Sequence, residues 1–137
     1  MPPSTPSPDG TATVELTSQV GAGRSPVRVT VVDRSGSLTS VREIGPSDPP
    51  FPGSTESGSV YVANGGGADV RLLWIGSVCD GNATVTIEPG VTAIVVDGGT
   101  RPACDAMGVG RELVLTFSRF VDPATIDVSH VEHVIFD

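Results

Sequence analysis

The sequence predicts an all-β domain, a sandwich of two antiparallel sheets with roughly eight to ten short strands. The first observation is the supply of β-branched residues, 21 Val, 13 Thr and 6 Ile in 137 residues, which lose rotamer freedom in helices and suit a pleated surface. The second is the 17 Gly and 12 Pro, the usual turn residues. The third is a repeated alternation of apolar and polar residues, typical of half-buried strands. Together they exclude a helical bundle or a coiled coil.

The N-terminal residues 1–10 are rich in Pro, Ser and Thr and predict a flexible linker, followed by one domain over 11–137. The linker has neither a positively charged start nor an apolar stretch, so it is not an intact signal peptide. We expect Met1 to replace the signal of an exported or lipid-anchored protein. The alternative is the natural tail of a cytosolic protein.

In the first half of the chain, the alternation and the turn residues define four strands and one tight turn. The clearest pattern sets Val27, Val29 and Val31 against Arg28 and Thr30. The predicted strands cover 11–20, 26–33, 38–44 and 59–63. A hairpin turn is predicted at 64–67, Asn-Gly-Gly-Gly, because positive φ is easily reached there.

The second half begins with the least polar segment, 69–75, which predicts a central strand with both faces covered and Trp74 in the core. The further predicted strands cover 83–88, 91–96, 112–117, 125–128 and 131–136. No segment has a helical period. We expect little helix, with one turn within 103–109 or 122–127.

The two cysteines, Cys79 and Cys104, are each followed by Asp and lie in predicted loops. Such positions favour a disulfide over two buried thiols. In the chain-entropy model a bridge of this span contributes roughly 3–4 kcal/mol. A disulfide in turn favours an oxidising, extracytoplasmic compartment.

Metal sites have little support in the sequence, and we expect no cofactor. Asp80 and Asp105 would come together at the predicted disulfide and could hold a cation with loop carbonyls, but Asp is also a common turn residue. A zinc site is disfavoured because Cys79 and Cys104 lack close spacing and because His130 and His133 would point to opposite faces of a strand. A copper site would also draw on Met107, and no tight Cys-His-Met cluster exists.

The segment 45–58 contains four Pro and three Gly, which exclude a helix or a central strand. Its centre, Pro49, Pro50, Phe51 and Pro52, would be stiff and extended and could present Phe51 to a partner. The alternative is that Phe51 folds back onto the open edge of a sheet. The loops predicted at 76–82 and 98–110 are further binding candidates.

The charge balance argues against nucleic acid and anionic membranes as partners. The formal net charge is −8, and the eight basic residues are all arginines scattered along the chain, whereas phosphate binding needs clustered cations. No apolar stretch is long enough to span a bilayer. The absence of lysine among many Gly, Ala, Val and Arg suggests a high-GC bacterium.

The sequence contains no pattern for an enzyme. A G-x-S-x-G motif is missing, and Ser129 and His130 are sequence neighbours, which does not make a catalytic dyad. We therefore expect a non-catalytic protein. The alternative is a small secreted enzyme or an enzyme accessory domain, which would show a concave pocket with convergent polar groups.

The segment 113–126, LVLTFSRFVDPATI, resembles a stretch of bacterial immunoglobulin-like domains of secreted and surface proteins. The resemblance covers about a tenth of the chain, and here the stretch lies near the end of the domain rather than early. It implies an Ig-like sandwich on a bacterial surface and carries no functional residues. The resulting hypothesis is a secreted or cell-surface module that binds a protein or cell-envelope partner, with a lipid anchor as one form of its native attachment. A purely structural spacer is a further alternative.

Overall fold

A computed structural model describes residues 5–16, 27–44, 60–77, 80–100 and 108–134. These residues form an all-β fold of nine strands and two single 3-10 turns. The strands are β1 (Thr11–Leu16), β2 (Val27–Asp33), β3 (Leu38–Glu43), β4 (Val60–Gly66), β5 (Asp69–Ser77), β6 (Asp80–Ile87), β7 (Ala93–Thr100), β8 (Gly108–Phe117) and β9 (Asp127–Val134). The turns are η1 (Pro89–Val91) and η2 (Pro123–Thr125). The all-β prediction is confirmed, as is a helical turn within 122–127.

The strands form two sheets that enclose one core. The first sheet has the order β1-β2-β6-β7-β9 and the second the order β3-β8-β5-β4. Alternate residues of each strand point inward, as the period of two requires. The inward side chains of both sheets form a single buried cluster, with Val31, Val85 and Leu113 fully enclosed and Trp74 1% exposed. The core position of Trp74 is therefore confirmed.

The prediction that both sheets are antiparallel is wrong for the first sheet. Strands β2 and β6 are parallel, and so are β7 and β9, whereas the second sheet is antiparallel throughout. Each parallel pair arises because the chain leaves the first sheet, contributes strands to the second, and returns beside the strand it left. Local alternation reports which side chains face inward but not the direction of a neighbouring strand.

Some strand boundaries also differ from the sequence-based prediction. Residues 98–100 and 108–110 belong to β7 and β8, and residues 80–82 open β6, although Gly and Asp predicted loops there. Gly98 pairs with β6 on one side and β9 on the other, and this pairing on both sides outweighs the weak strand preference of glycine. Strand β9 (Asp127–Val134) joins the predicted strands 125–128 and 131–136 through Ser129 and His130, whose polarity resembles a break; residues 135–136 lie outside the described residues.

Two tight connections, the β4–β5 hairpin and the turn η1, depend on residues with positive φ. The predicted hairpin at 64–67 is confirmed between β4 and β5, where Gly66 and Gly67 have φ of +104° and +57°. The strand predicted from 91 begins at Ala93, because Gly90 and Val91 (φ +72° and +54°) form the single turn η1.

The segment before β1 is attached to the first sheet. The Ser7 carbonyl accepts from the Gly10 amide at 2.8 Å, and the Gly10 carbonyl accepts from the Asp33 amide at 2.8 Å. A turn over 7–10 thus fixes the point where the chain enters β1.

Candidate functional site

The two cysteine-bearing connections lie at one end of the sandwich. Residues 78–79 join β5 to β6, and residues 101–107 join β7 to β8, so both connections cross between the sheets. Their flanks are paired: Ser77 is opposite Gly108, and Asp80 is opposite Thr100. Cys79 and Cys104 themselves lie outside the described residues, so their disulfide stays a prediction.

The predicted cation site lies at the same end. Asp80 is the first residue of β6, and Asp105 falls outside the described residues. Within the part of the chain that the structure describes, no three His, Cys, Asp or Glu residues are grouped so that they could hold a metal ion.

The predicted binding segment, Pro49, Pro50, Phe51 and Pro52, also lies outside the described residues. Its surroundings are informative, because β3 and β4, which it links, are the two opposite edges of the second sheet. The connection from 44 to 60 therefore spans three strand spacings, about 14 Å. Whether Phe51 contacts a partner or this domain stays an open prediction.

Both histidines belong to β9. His130 is half-buried, stands opposite Val96 of the core and has an enclosed Nε2 atom. His133 stands opposite Gly99. The two residues occupy odd and even positions of one strand, so they alternate between its two faces.

The outer face of the second sheet carries a buried ion pair that the sequence did not indicate. The Arg71 guanidinium in β5 donates to the Glu112 carboxylate in β8, and the two side chains are only 6% and 10% exposed. Val114, opposite Arg71, is 2% exposed. The two charged residues are 41 positions apart, and only the register of β5 with β8 brings them together.

A further charged residue, Arg111, lies on the inner side of the same sheet. Arg111 is fully buried and stands opposite Trp74. Its position has the parity of the core residues Leu113 and Leu115, so its aliphatic stem extends the core toward the start of β8. The sequence shows Arg111 only as the polar residue that precedes a strand pattern.

The side of the sandwich formed by β4 and β9 is more open than the side formed by β1 and β3. On the β1 side, Val14 and Val41 are 7% and 0% exposed. On the other side, where β4 lies against β9, the residues that adjoin the core are only partly buried: Val60, Val62 and Val128. Val131 of β9 is 49% exposed. Apolar contacts thus remain available along this side.

The four edge strands differ in how well they are protected against pairing with another chain. Strands β3 and β4 contain register shifts, at Leu38/Ser40 and Asn64/Gly66, and such irregularities hinder strand addition. Strand β1 has only six residues and exposes Glu15 next to its C-terminal end. Strand β9 has eight residues in continuous register with β7 and contains no Pro; its exposed acid, Asp127, is its first residue.

The backbone groups of β9 can be assigned to its two sides. The Asp127 amide donates to the Thr92 carbonyl at 3.0 Å, so Asp127 and every second residue after it bond to β7 in this parallel pair. The amides and carbonyls of Val128 and His130 then point away from β7. No strand of the described part lies on that side of β9. Edge strand β9 is therefore the best candidate for a binding surface among the residues described.

No described helix is long and apolar enough to cross a membrane. No family model, curated protein or solved structure matches the chain.

Proposed function

We propose that this chain is a non-catalytic binding and assembly module of a secreted or cell-surface bacterial protein, which takes up a partner strand along β9. The observation that carries the proposal is the contrast between β9 and the other edges. An eight-residue edge in unbroken register offers backbone donors and acceptors for strand addition. Exposed Val131 and Ser129 leave its outer face free of charge at the centre.

The proposal includes an Ig-like sandwich and a disulfide between Cys79 and Cys104. Two sheets around one core and the resemblance of 113–126 support the Ig-like sandwich. The paired flanks of the two cysteine-bearing connections support the disulfide. Four residues from Thr100 or Gly108 to Cys104 reach up to about 13–14 Å, which is enough to approach Cys79. A disulfide would fit an oxidising compartment. Intact mass under non-reducing conditions tests it: a bridge lowers the mass by two hydrogens, and two free thiols in oxidised protein contradict it.

The functional test compares two single-lysine variants, one on each of the two opposite edges of the first sheet. Ser129→Lys places a charge on the exposed face of β9, and Thr13→Lys does the same on β1. Charged residues on an edge suppress strand pairing. We expect wild-type protein and Thr13→Lys to sediment as an assembled species, either alone or with a bacterial envelope fraction, and Ser129→Lys to stay monomeric in both conditions. Equal assembly of both variants, or a wild type that stays monomeric in both conditions, would contradict the proposal.

A further inference from the structure

We infer that the strand taken up by β9 is β9 of a second copy of this chain, paired antiparallel about a two-fold axis at Val131. This inference rests on the proposed assembly function and names its partner. A strand that pairs with its own copy forms a closed, isologous dimer. The pairing would join the first sheets of both copies into one continuous sheet.

The directions of the backbone groups restrict the possible registers. Val128 and His130 direct their amides and carbonyls outward, whereas Ser129 and Val131 direct theirs to β7. Outward residues must face outward residues of the copy to exchange hydrogen bonds. A two-fold axis between His130 and Val131 would set residues with outward backbone groups opposite residues whose backbone groups already bond to β7. That register is therefore excluded. The axis must therefore pass through a residue.

The two remaining central positions of the two-fold axis, at His130 and at Val131, are distinguished by the residue types that each would bring opposite one another. An axis at Val131 sets Val131 opposite Val131 of the copy, His130 opposite Glu132, and Val128 opposite Val134 in register. An axis at His130 would instead set Val128 opposite Glu132. Apolar residues that lie opposite each other stabilise neighbouring strands. The axis at Val131 provides such pairs, whereas the axis at His130 would set the apolar Val128 opposite an acidic residue. The axis at Val131 also covers the exposed apolar residue of β9, which is 49% exposed in one chain.

Charge does not prevent this contact, although the chain carries a net charge of −8. In the register about Val131, neither acidic position of β9, Asp127 or Glu132, is paired with an acidic position of the copy. Asp127, the exposed acid at the start of the strand, lies four residues from the axis. The repulsion between the two chains is therefore spread over other surfaces, where salt screens it.

Cysteine trapping tests both the partner and the register. In a non-hydrogen-bonded antiparallel pair the Cα atoms approach to about 4.5 Å, which suits a disulfide. Val131→Cys should form a covalent dimer with oxidised glutathione as oxidant. The matched control Ser129→Cys, on the same exposed face, should not, because its two copies would lie four residues apart along the pair. The wild type reports any dimer formed by Cys79 or Cys104.

Sedimentation equilibrium provides the second measurement and needs no new thiol. Val131→Lys should raise the dimer dissociation constant about tenfold or more, because like charges would lie directly opposite each other. Val131→Thr should stay dimeric. At a dilution where both variants are monomeric, Val131→Thr and Val131→Lys should unfold at similar urea concentrations, because association then stabilises neither of them. A monomeric wild type, equal trapping of both cysteine variants, or a dimer that persists in Val131→Lys would overturn the inference. In that case envelope binding that still depends on Ser129 would leave the proposed function standing with a different partner.

Discussion

Arg71 and Glu112 form an ion pair on the outer face of the second sheet, with side chains only 6% and 10% exposed. Removing one partner takes this ion pair away from a charge that stays nearly buried. We expect Arg71→Met or Glu112→Leu to lower the free energy of unfolding by about 3–5 kcal/mol each. The double variant should lie within about 1–2 kcal/mol of the wild type, because both charges of the ion pair are then removed together.

Urea denaturation of the four proteins gives this cycle directly. The control is the exposed pair Arg34–Glu88, with a separation of 4.0 Å and side chains 62% and 34% exposed. Arg34→Met should change stability by about 0–1 kcal/mol. Additive losses in the Arg71/Glu112 double variant would show that the two side chains do not act as a pair.

Two glycines with positive φ should respond differently to alanine. Gly10 has φ +84°, and a Cβ there would lie 2.6 Å from the Asp33 carbonyl oxygen. Gly36 has φ +74° and open space around its Cβ position. Gly36→Ala should cost about 1–2 kcal/mol, the conformational penalty alone, and Gly10→Ala should cost more. Thermal or urea unfolding measures both variants, and equal losses of unfolding free energy in the two variants would contradict the close approach of Gly10 to Asp33.

Asp33 closes the turn between β2 and β3. Its carboxylate accepts from the Ser35 amide at 2.9 Å and from the Leu38 amide at 3.0 Å, and the residue is 9% exposed. Asp33→Ala leaves both amides without this partner and should lower the free energy of unfolding by about 1–3 kcal/mol. Asp33→Asn keeps one acceptor oxygen and should therefore lose less unfolding free energy than Asp33→Ala. Equal losses for both variants in urea titrations would contradict this assignment.

Asp9 should titrate below the usual range of an aspartate. The Ser7 hydroxyl and the Thr11 amide donate to its carboxylate and lower the pKa of Asp9. The stabilisation that these bonds provide is present above the pKa of the unfolded chain and is lost as the pH falls through the folded pKa. NMR titration should show the lowered pKa, and Ser7→Ala should raise it toward its usual value. An unchanged pKa in Ser7→Ala would contradict the hydrogen bond.

The sequence predicted those properties of the fold that depend on local side-chain alternation. The inward positions of Val27, Val29 and Val31, the hairpin near Gly66 and the core position of Trp74 all follow from residue type and period. These features are set within a few residues of chain. The strand content was therefore accessible without coordinates.

Features that depend on pairing between distant segments were not accessible. The parallel pair β2/β6 and the contact of Arg71 with Glu112 exist only in a particular strand order. The same holds for β9: the sequence predicts two strands there, because Ser129 and His130 resemble a break when the neighbouring strand is unknown. An edge can be recognised only after the sheet order is known.

Amide hydrogen exchange in β9, followed by NMR as the protein is diluted, tests the central claim most directly. At high concentration the amides of Ser129 and Val131, which bond to β7, and those of Val128 and His130, which would bond to the second copy, should all be protected. On dilution Val128 and His130 should lose protection while Ser129 and Val131 keep it. Fast exchange of Val128 and His130 at every concentration would contradict the account.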